Sequence, residues 1–275
     1  MCDEFGCGAD TSKMPPIDVP DAARRAFLAG AATLPLAAVL ADPALAQAAG
    51  DRLEEVSLTL SGGQTVKAAL ALPGKLPAPA VVLIHEWWGL NDQIKAVAAE
   101  YAEQGYVALA VDLYGGGVGT KPEEAMALMK ALDPKVATET MVSWIDWLKK
   151  SDRTTGKVAT VGWCFGGGWS LNASLATPVD ATVIYYGNVA KTADQLASLQ
   201  SPVLGHFGTL DQNINKEMVG GFEKAMAEAG KADMLTVHWY EANHAFANPS
   251  GARYDAEDAK LAWERTLAFL KDKLA

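Results

Sequence analysis

Three stretches of this chain carry side chains suited to acyl-transfer chemistry, in the order nucleophile, acid, base. The first is Gly162-Trp163-Cys164-Phe165-Gly166, with Gly167 and Gly168 behind it. It joins an apolar run, Val158 to Val161, to a segment with helical spacing, Phe165 to Ala176. A sharp strand-to-helix turn of this kind presents its central residue at the rim of a sheet, and glycine at both flanks leaves room for the turn. A cysteine there also sits at a helix N-terminus, whose unpaired N–H groups favour thiolate over thiol. The second stretch is Gly208-Thr209-Leu210-Asp211, following the run Pro202 to Phe207. The third is Glu241-Ala242-Asn243-His244-Ala245-Phe246, following Met234 to Tyr240. His244 would hold Cys164 as a thiolate or take its proton, while Asp211 would orient the imidazole and stabilise its cation. Each residue alone has a plainer reading, a buried structural cysteine or an aspartate capping a helix. Three in order at three strand ends favour the chemical one.

A fourth strand end adds His85-Glu86-Trp87-Trp88-Gly89 after Ala80 to Ile84. In an arrangement of this type one oxyanion-binding N–H comes from this loop and the other from the residue after the nucleophile, here the backbones of Trp87 and Phe165. Glu86 is the anomaly, because an acid beside a thiolate disfavours the anion unless it is paired or protonated. Trp88, Tyr114 and Trp163 stand at strand ends, where they can wall an apolar pocket. The remaining features read as structural. His85 braces its loop, His206 and His238 fall in or at the ends of strands, and Trp144 and Trp147 share a helix face. Gly115 to Gly119 followed by Thr120-Lys121-Pro122 lacks the glycine-lysine-Ser/Thr order of a phosphate loop. No cofactor or metal motif is present.

These side chains need a frame that brings four strand ends together. Alternating runs from Leu53 to Leu60 and Gln64 to Leu72 flank Ser61-Gly62-Gly63, the pattern of an antiparallel hairpin. Later runs, among them Ala80 to Ile84, Val107 to Val111, Val158 to Val161 and Ala181 to Tyr185, are apolar without alternation, as in parallel strands covered on both faces. Helical spacing follows over Ile94 to Gln104, Pro122 to Ala131, Thr138 to Lys150, Phe165 to Ala176, Lys216 to Ala229 and Asp255 to Lys273. The prediction is a single α/β domain over 47–275: a mostly parallel central sheet opened by a hairpin, with helices on both faces. Ligands of such sheets bind beyond the carboxyl ends of the strands.

The chain has 275 residues and a formal net charge of −10, which disfavours nucleic acid as a partner. Three cysteines cannot build a disulfide framework in a chain of this length. Residues 1–46 read as a cleaved twin-arginine export signal. Arg24-Arg25 precede an apolar stretch reaching about Leu40, and Ala44-Leu45-Ala46 has the small-x-small pattern of a cleavage site. Pro35, Asp42 and Pro43 interrupt the stretch, so stable membrane insertion is not expected. The expected location is periplasmic or secreted.

With these motifs in place, the chain resembles the dienelactone hydrolase family from about Leu53 to the C-terminus. The resemblance rests on His85 to Gly89, Gly162 to Gly167, Gly208 to Asp211, His238-Trp239-Tyr240-Glu241 and His244-Ala245-Phe246-Ala247. It implies the α/β-hydrolase fold, a Cys164–Asp211–His244 triad, and a glutamate, Glu86, that acts on the resting cysteine and helps generate the thiolate. It also implies attack on a small ester or enol-lactone, an acyl-thioester intermediate, and no cofactor. We expect a monomer. The family's substrate-binding arginines have no counterpart: the position after the triad histidine's loop holds Asn248, and Pro122 to Ala131 contains no arginine. An uncharged amide cannot replace a guanidinium for a carboxylate, so Asn248 is a pocket candidate only, and Lys121, Lys130 and Arg253 are the candidates for that role. Two other readings of the same residues are a thiol-based redox sensor and a binding protein without turnover.

Overall fold

The computed structural model describes residue 17, residues 19–31 and residues 33–275; Cys2 and Cys7 lie outside them. Three short helices come first, Asp21–Leu28 (α1), Leu36–Ala41 (α2) and Pro43–Gly50 (α3). Asp42 caps α3 by accepting from Ala44 N at 2.9 Å, and proline at the first helical position needs no N–H partner. The same carboxylate pairs with Arg24 at 3.0 Å. Val39, Leu40, Leu45, Ala46 and Ala49 are buried in the main core cluster. Residues 36–46 of the segment read from sequence as an export signal are thus folded onto the domain, with Leu45 and Ala46, at its expected cleavage point, withdrawn from solvent. Among the described residues no helix is long and apolar enough to cross a membrane.

The hairpin follows as Glu54–Thr59 (β1) and Thr65–Ala71 (β2), antiparallel with Glu54 opposite Leu70. The chain then alternates: Ala78–Ile84 (β3), Asp92–Glu103 (α4), Val107–Val111 (β4), Pro122–Ala131 (α5), Pro134–Lys150 (α6), Thr154–Trp163 (β5), Phe165–Ala176 (α7) and Ala181–Tyr185 (β6). A short helix, Ala193–Leu196 (α8), precedes Val203–Gly208 (β7), Lys216–Glu228 (α9), Leu235–Tyr240 (β8) and Ala256–Lys273 (α10). The eight strands form one sheet in the order β1-β2-β4-β3-β5-β6-β7-β8; β3 to β8 pair with one another in parallel, and β2 joins β4 antiparallel. The mostly parallel sheet with an antiparallel hairpin is the architecture expected from the sequence.

The apolar runs lack alternation because both faces of the sheet are covered. On β3, Val81 and Leu83 enter the core cluster beneath α4 and α10, while Ala80, Val82 and Ile84 enter the one beneath α6. The connection from β3 to β4 runs one way along the sheet, and the next connection returns past β3 to β5. Such a reversal opens a crevice at the carboxyl ends of the two strands concerned. Glu86 follows β3 and Cys164 follows β5, so the fold sets them on either side of that crevice.

Candidate active site

Cys164 occupies the turn between β5 and α7 with φ 54° and ψ −117°, a conformation that side chains with a Cβ rarely adopt. The turn is closed by Gly167 N donating to Cys164 O at 3.0 Å. A Cβ on Gly162 would stand 2.0 Å from Gly166 O, and one on Gly166 would stand 2.1 Å from Ile84 O. Glycine at both flanks is therefore a packing requirement. Two more non-glycine residues have positive φ, Tyr186 (38°) and Ala245 (62°), and both border His244. Strain gathered at one place marks a site held by its surroundings.

Asp211 and His244 meet on the loops after β7 and β8. His244 Nδ1 lies 2.6 Å from Asp211 Oδ2, and both side chains are buried. The other Asp211 oxygen accepts from Asn213 N at 2.8 Å and Ile214 N at 3.0 Å. Burial pushes the Asp211 carboxyl up, but the hydrogen bond and charge of His244, with the two N–H donors, bring it below the usual carboxylate range. Burial would lower the imidazole as well. The Cys164 charge together with the Asp211 bond outweighs that and pushes His244 up to about 10. The ring is gripped from the side by Tyr186, edge-on at 5.2 Å between centroids. Cys164 and His244 line the same cavity, so the structure brings the three candidate residues together.

Glu86 is buried behind them, its Oε2 accepting from Asn248 Nδ2 at 2.8 Å. Asn248 is in turn fixed by Ser250, whose N and Oγ donate to its Oδ1 at 3.0 and 2.7 Å. Burial dominates at Glu86 and pushes its carboxyl up to about 7, against the opposing pulls of Asn248, the His244 charge and the Tyr186 hydroxyl. Tyr186 Oη and Glu86 Oε1 act on one another but are not aligned as a well-formed hydrogen bond. The acid is thus paired with Asn248 and keeps its proton well above the usual carboxylate range, and in its protonated form it does not oppose a thiolate. His85 lies beneath the loop, accepting from Leu113 N at 3.3 Å through Nε2 and bonded through Nδ1 to the Glu86 carbonyl. Its ring stacks 5.7 Å from that of Phe165. The backbone N–H groups of Trp87 and Phe165 have no backbone acceptor among the described residues.

The cavity holding Cys164 and His244 has a volume of about 410 Å³. Trp87, Phe165, Trp169, Ile214 and Met218 make its walls apolar, and Asn172, Asn188 and Lys191 supply polar groups. Of the four pocket candidates named from sequence, none is among its lining residues. Trp163 borders a separate cavity beside α2 and α10, Asn248 is spent on Glu86, Tyr114 packs edge-on to His85 at 4.7 Å, and Trp88 leans on Trp87 at 4.9 Å. Tyr114 nonetheless stands close enough to Cys164 to feel its charge, and its ring lies 5.5 Å from that of Phe165. Lys121 and Lys130 are exposed and Arg253 is partly so; they too are absent from the lining. Tyr186 and Lys191 escaped the sequence reading, although both follow a strand end, that of β6, where ligands of such sheets are found.

A nucleophile on a strained strand-to-helix turn, with an acid and a histidine on later strand ends, is the constellation of an α/β-hydrolase. The family model described as the dienelactone hydrolase family matches residues 66–274. A carboxymethylenebutenolidase from Pseudomonas putida is 32% identical over 232 residues, covering 79% of this chain and 95% of the relative. The Aquifex pyrophilus protein usf is 31% identical over 223 residues, covering 77% and 95%. Among solved structures, a dienelactone hydrolase from Anabaena variabilis superposes with a TM-score of 0.60 at 21% identity, covering 82% of this chain and all of its own. A dienelactone hydrolase-like promiscuous phosphotriesterase from metagenomic libraries does so with a TM-score of 0.72 at 22% identity, covering 81% and 99%; both likenesses concern the fold. The chain belongs to the dienelactone hydrolase family, and it is a hydrolase acting on lactone or ester bonds.

Proposed function

We propose that the chain hydrolyses small esters or lactones through a cysteine acyl-thioester. The observation that carries this reading is the buried Asp211–His244 pair facing the cavity that Cys164 enters. The thiolate sulfur adds to the carbonyl carbon, and the carbonyl oxygen takes the negative charge toward the Trp87 and Phe165 N–H groups. The tetrahedral species collapses, the C–O bond to the alcohol or enol breaks, and the leaving oxygen takes the His244 proton. Water then attacks the thioester while neutral His244 accepts one of its protons, releasing the carboxylic acid and restoring the thiolate–imidazolium pair. Glu86 leaves the thiolate unopposed when it carries its proton, a form that burial favours.

Export by the twin-arginine route belongs to the same proposal. Arg24-Arg25 and the Ala44-Leu45-Ala46 pattern support it, and a route that carries folded proteins suits a chain needing no disulfide. N-terminal sequencing of protein recovered from a producing bacterium's periplasm tests it; a chain found only in the cytoplasm with residues 1–46 intact speaks against it.

The catalytic reading is tested by mixing the protein with p-nitrophenyl acetate and digesting after rapid acid quench. An acetyl group on the peptide carrying Cys164 is the expected result. Full turnover in Cys164→Ala would remove the proposal.

A further inference from the structure

A second concavity adjoins the cavity at Cys164. Lys191 and Met218 belong to both linings, and the second, about 640 Å³, adds Thr192, Gln195, Asn213, Asn215 and Glu217 among others. A compact lactone needs only the first. The walls change character along the way, from aromatic and aliphatic beside the sulfur to amides and hydroxyls beyond Lys191.

Lys191 stands at this junction and, apart from His244 of the candidate triad, is the one basic side chain among the residues lining the first cavity. It is half-buried, and among the described residues no carboxylate lies within ion-pair distance of it; the acid of the second concavity, Glu217, is not paired with it. Its backbone is fixed on both sides. Asn188 Oδ1 accepts from Ala190 N at 3.0 Å, and Thr192 and Gln195 form a reciprocal capping box at the start of α8. An ammonium held at a cavity mouth, partly stripped of water and lacking a counter-ion, gains when an anion arrives. Burial pulls its pKa down, which an incoming anion would reverse.

Resting on the hydrolase reading above, we infer that Lys191 selects elongated esters whose acyl chain runs along the apolar wall past Met218 and ends in an anionic group at the Lys191 ammonium. Lys191 is then a specificity-determining residue remote from the scissile bond, and the site prefers a long substrate with a charged terminus over a compact one.

The test compares mono-p-nitrophenyl adipate with p-nitrophenyl hexanoate, which has the same chain length but an uncharged end. The wild-type protein should favour the adipate in kcat/KM, and raised salt should shrink the preference. Lys191→Met should lower the adipate-to-hexanoate ratio about tenfold, mainly through KM. Lys191→Arg should keep the preference, and Lys191→Glu should invert it. An unchanged ratio in Lys191→Met, or no wild-type preference for the adipate, overturns the inference and leaves ester hydrolysis standing. If neither ester is hydrolysed the hydrolase reading falls, and quenching of tryptophan fluorescence by adipate decides the rest, since Trp87 and Trp169 line the cavity. Weaker quenching in Lys191→Met then supports the anion site, and equal quenching overturns it.

Discussion

Asp211 Oδ2 lies 2.6 Å from His244 Nδ1 with both side chains shut off from water. A bond this short between buried partners fixes the imidazole tautomer, leaving Nε2 to serve the sulfur. Asp211→Asn keeps the shape but removes the charge and the preferred acceptor. We expect kcat to fall by roughly two to four orders of magnitude with little change in KM. Unaltered kcat in that variant excludes Asp211 from the triad.

The same pair sets a pH limb. His244 is pushed up to about 10 from a usual value of 6.5. A raised imidazole contributes stability that is fully present below the unfolded value and lost as pH rises through the folded one. Hydrolysis of the leaving-group bond needs the imidazole proton, so kcat/KM should decline as pH passes about 10, with the apparent value belonging to the Cys164–His244 pair. Asp211→Asn should move this limb to lower pH. A profile flat to pH 11 in the wild type would contradict the assignment.

Cys164 can be separated into its chemistry and its backbone. Cys164→Ala should abolish turnover, and Cys164→Ser should retain roughly a hundredth or less, because the surroundings suit a thiol and not a harder-to-ionise hydroxyl. The φ of 54° predicts a different ranking for stability. Cys164→Gly should unfold at higher denaturant than Cys164→Ala, by about 1 kcal/mol, since glycine adopts this conformation without a Cβ clash. Equal midpoints for the two variants would show that the turn holds no such strain.

Glu86 gives a pH signature on stability of the same sign as that of His244, in a lower pH window. Its carboxyl is raised from 4.5 to about 7 by burial, so the folded chain binds this proton more tightly than the unfolded one does. The stability it contributes is complete below the unfolded value and is lost as pH rises through about 7. Glu86→Gln should remove that slope, worth on the order of 3 kcal/mol. Asn248→Ala, which deletes the 2.8 Å amide donor, should carry the slope to higher pH. Urea midpoints from pH 4.5 to 8 read both effects; a slope shared equally by wild type and Glu86→Gln would assign it to another group.

The clustering of Cys164, Asp211 and His244 at one rim was legible in the sequence because strand-end positions depend on short local patterns: two glycines around Cys164, and an acid and a histidine each after an apolar run. The pocket was not readable in the same way. Whether Trp163 faces the crevice or the opposite core depends on the twist and alternation of β5 at its last residue, and the outcome places it beside α10. Tyr186 was obscured by its neighbour. In Tyr185-Tyr186 one ring bonds Thr266 in the core at 2.7 Å while the next, by its positive φ, turns onto His244. Lys191 offered no motif, since a lone lysine in a loop is ordinarily solvated.

The N-terminal segment sets two physical demands against each other. Removal of residues 1–46 would take away α1, α2 and the first half of α3, and with them the burial of Val39, Leu40, Leu45 and Ala46. Fully burying one such aliphatic side chain is worth about 1.5–3 kcal/mol, so a chain beginning at Gln47 should melt several degrees below the longer one. Val97 of α4 and Trp263 of α10, which share an apolar cavity with Leu36 and Leu40, would then face water. The consequence is measurable as dye binding to newly exposed apolar surface. If the Gln47 chain melts no lower and binds no more dye, residues 36–46 contribute nothing to the stability of the domain, and the packed segment is dispensable to a chain cut at that point.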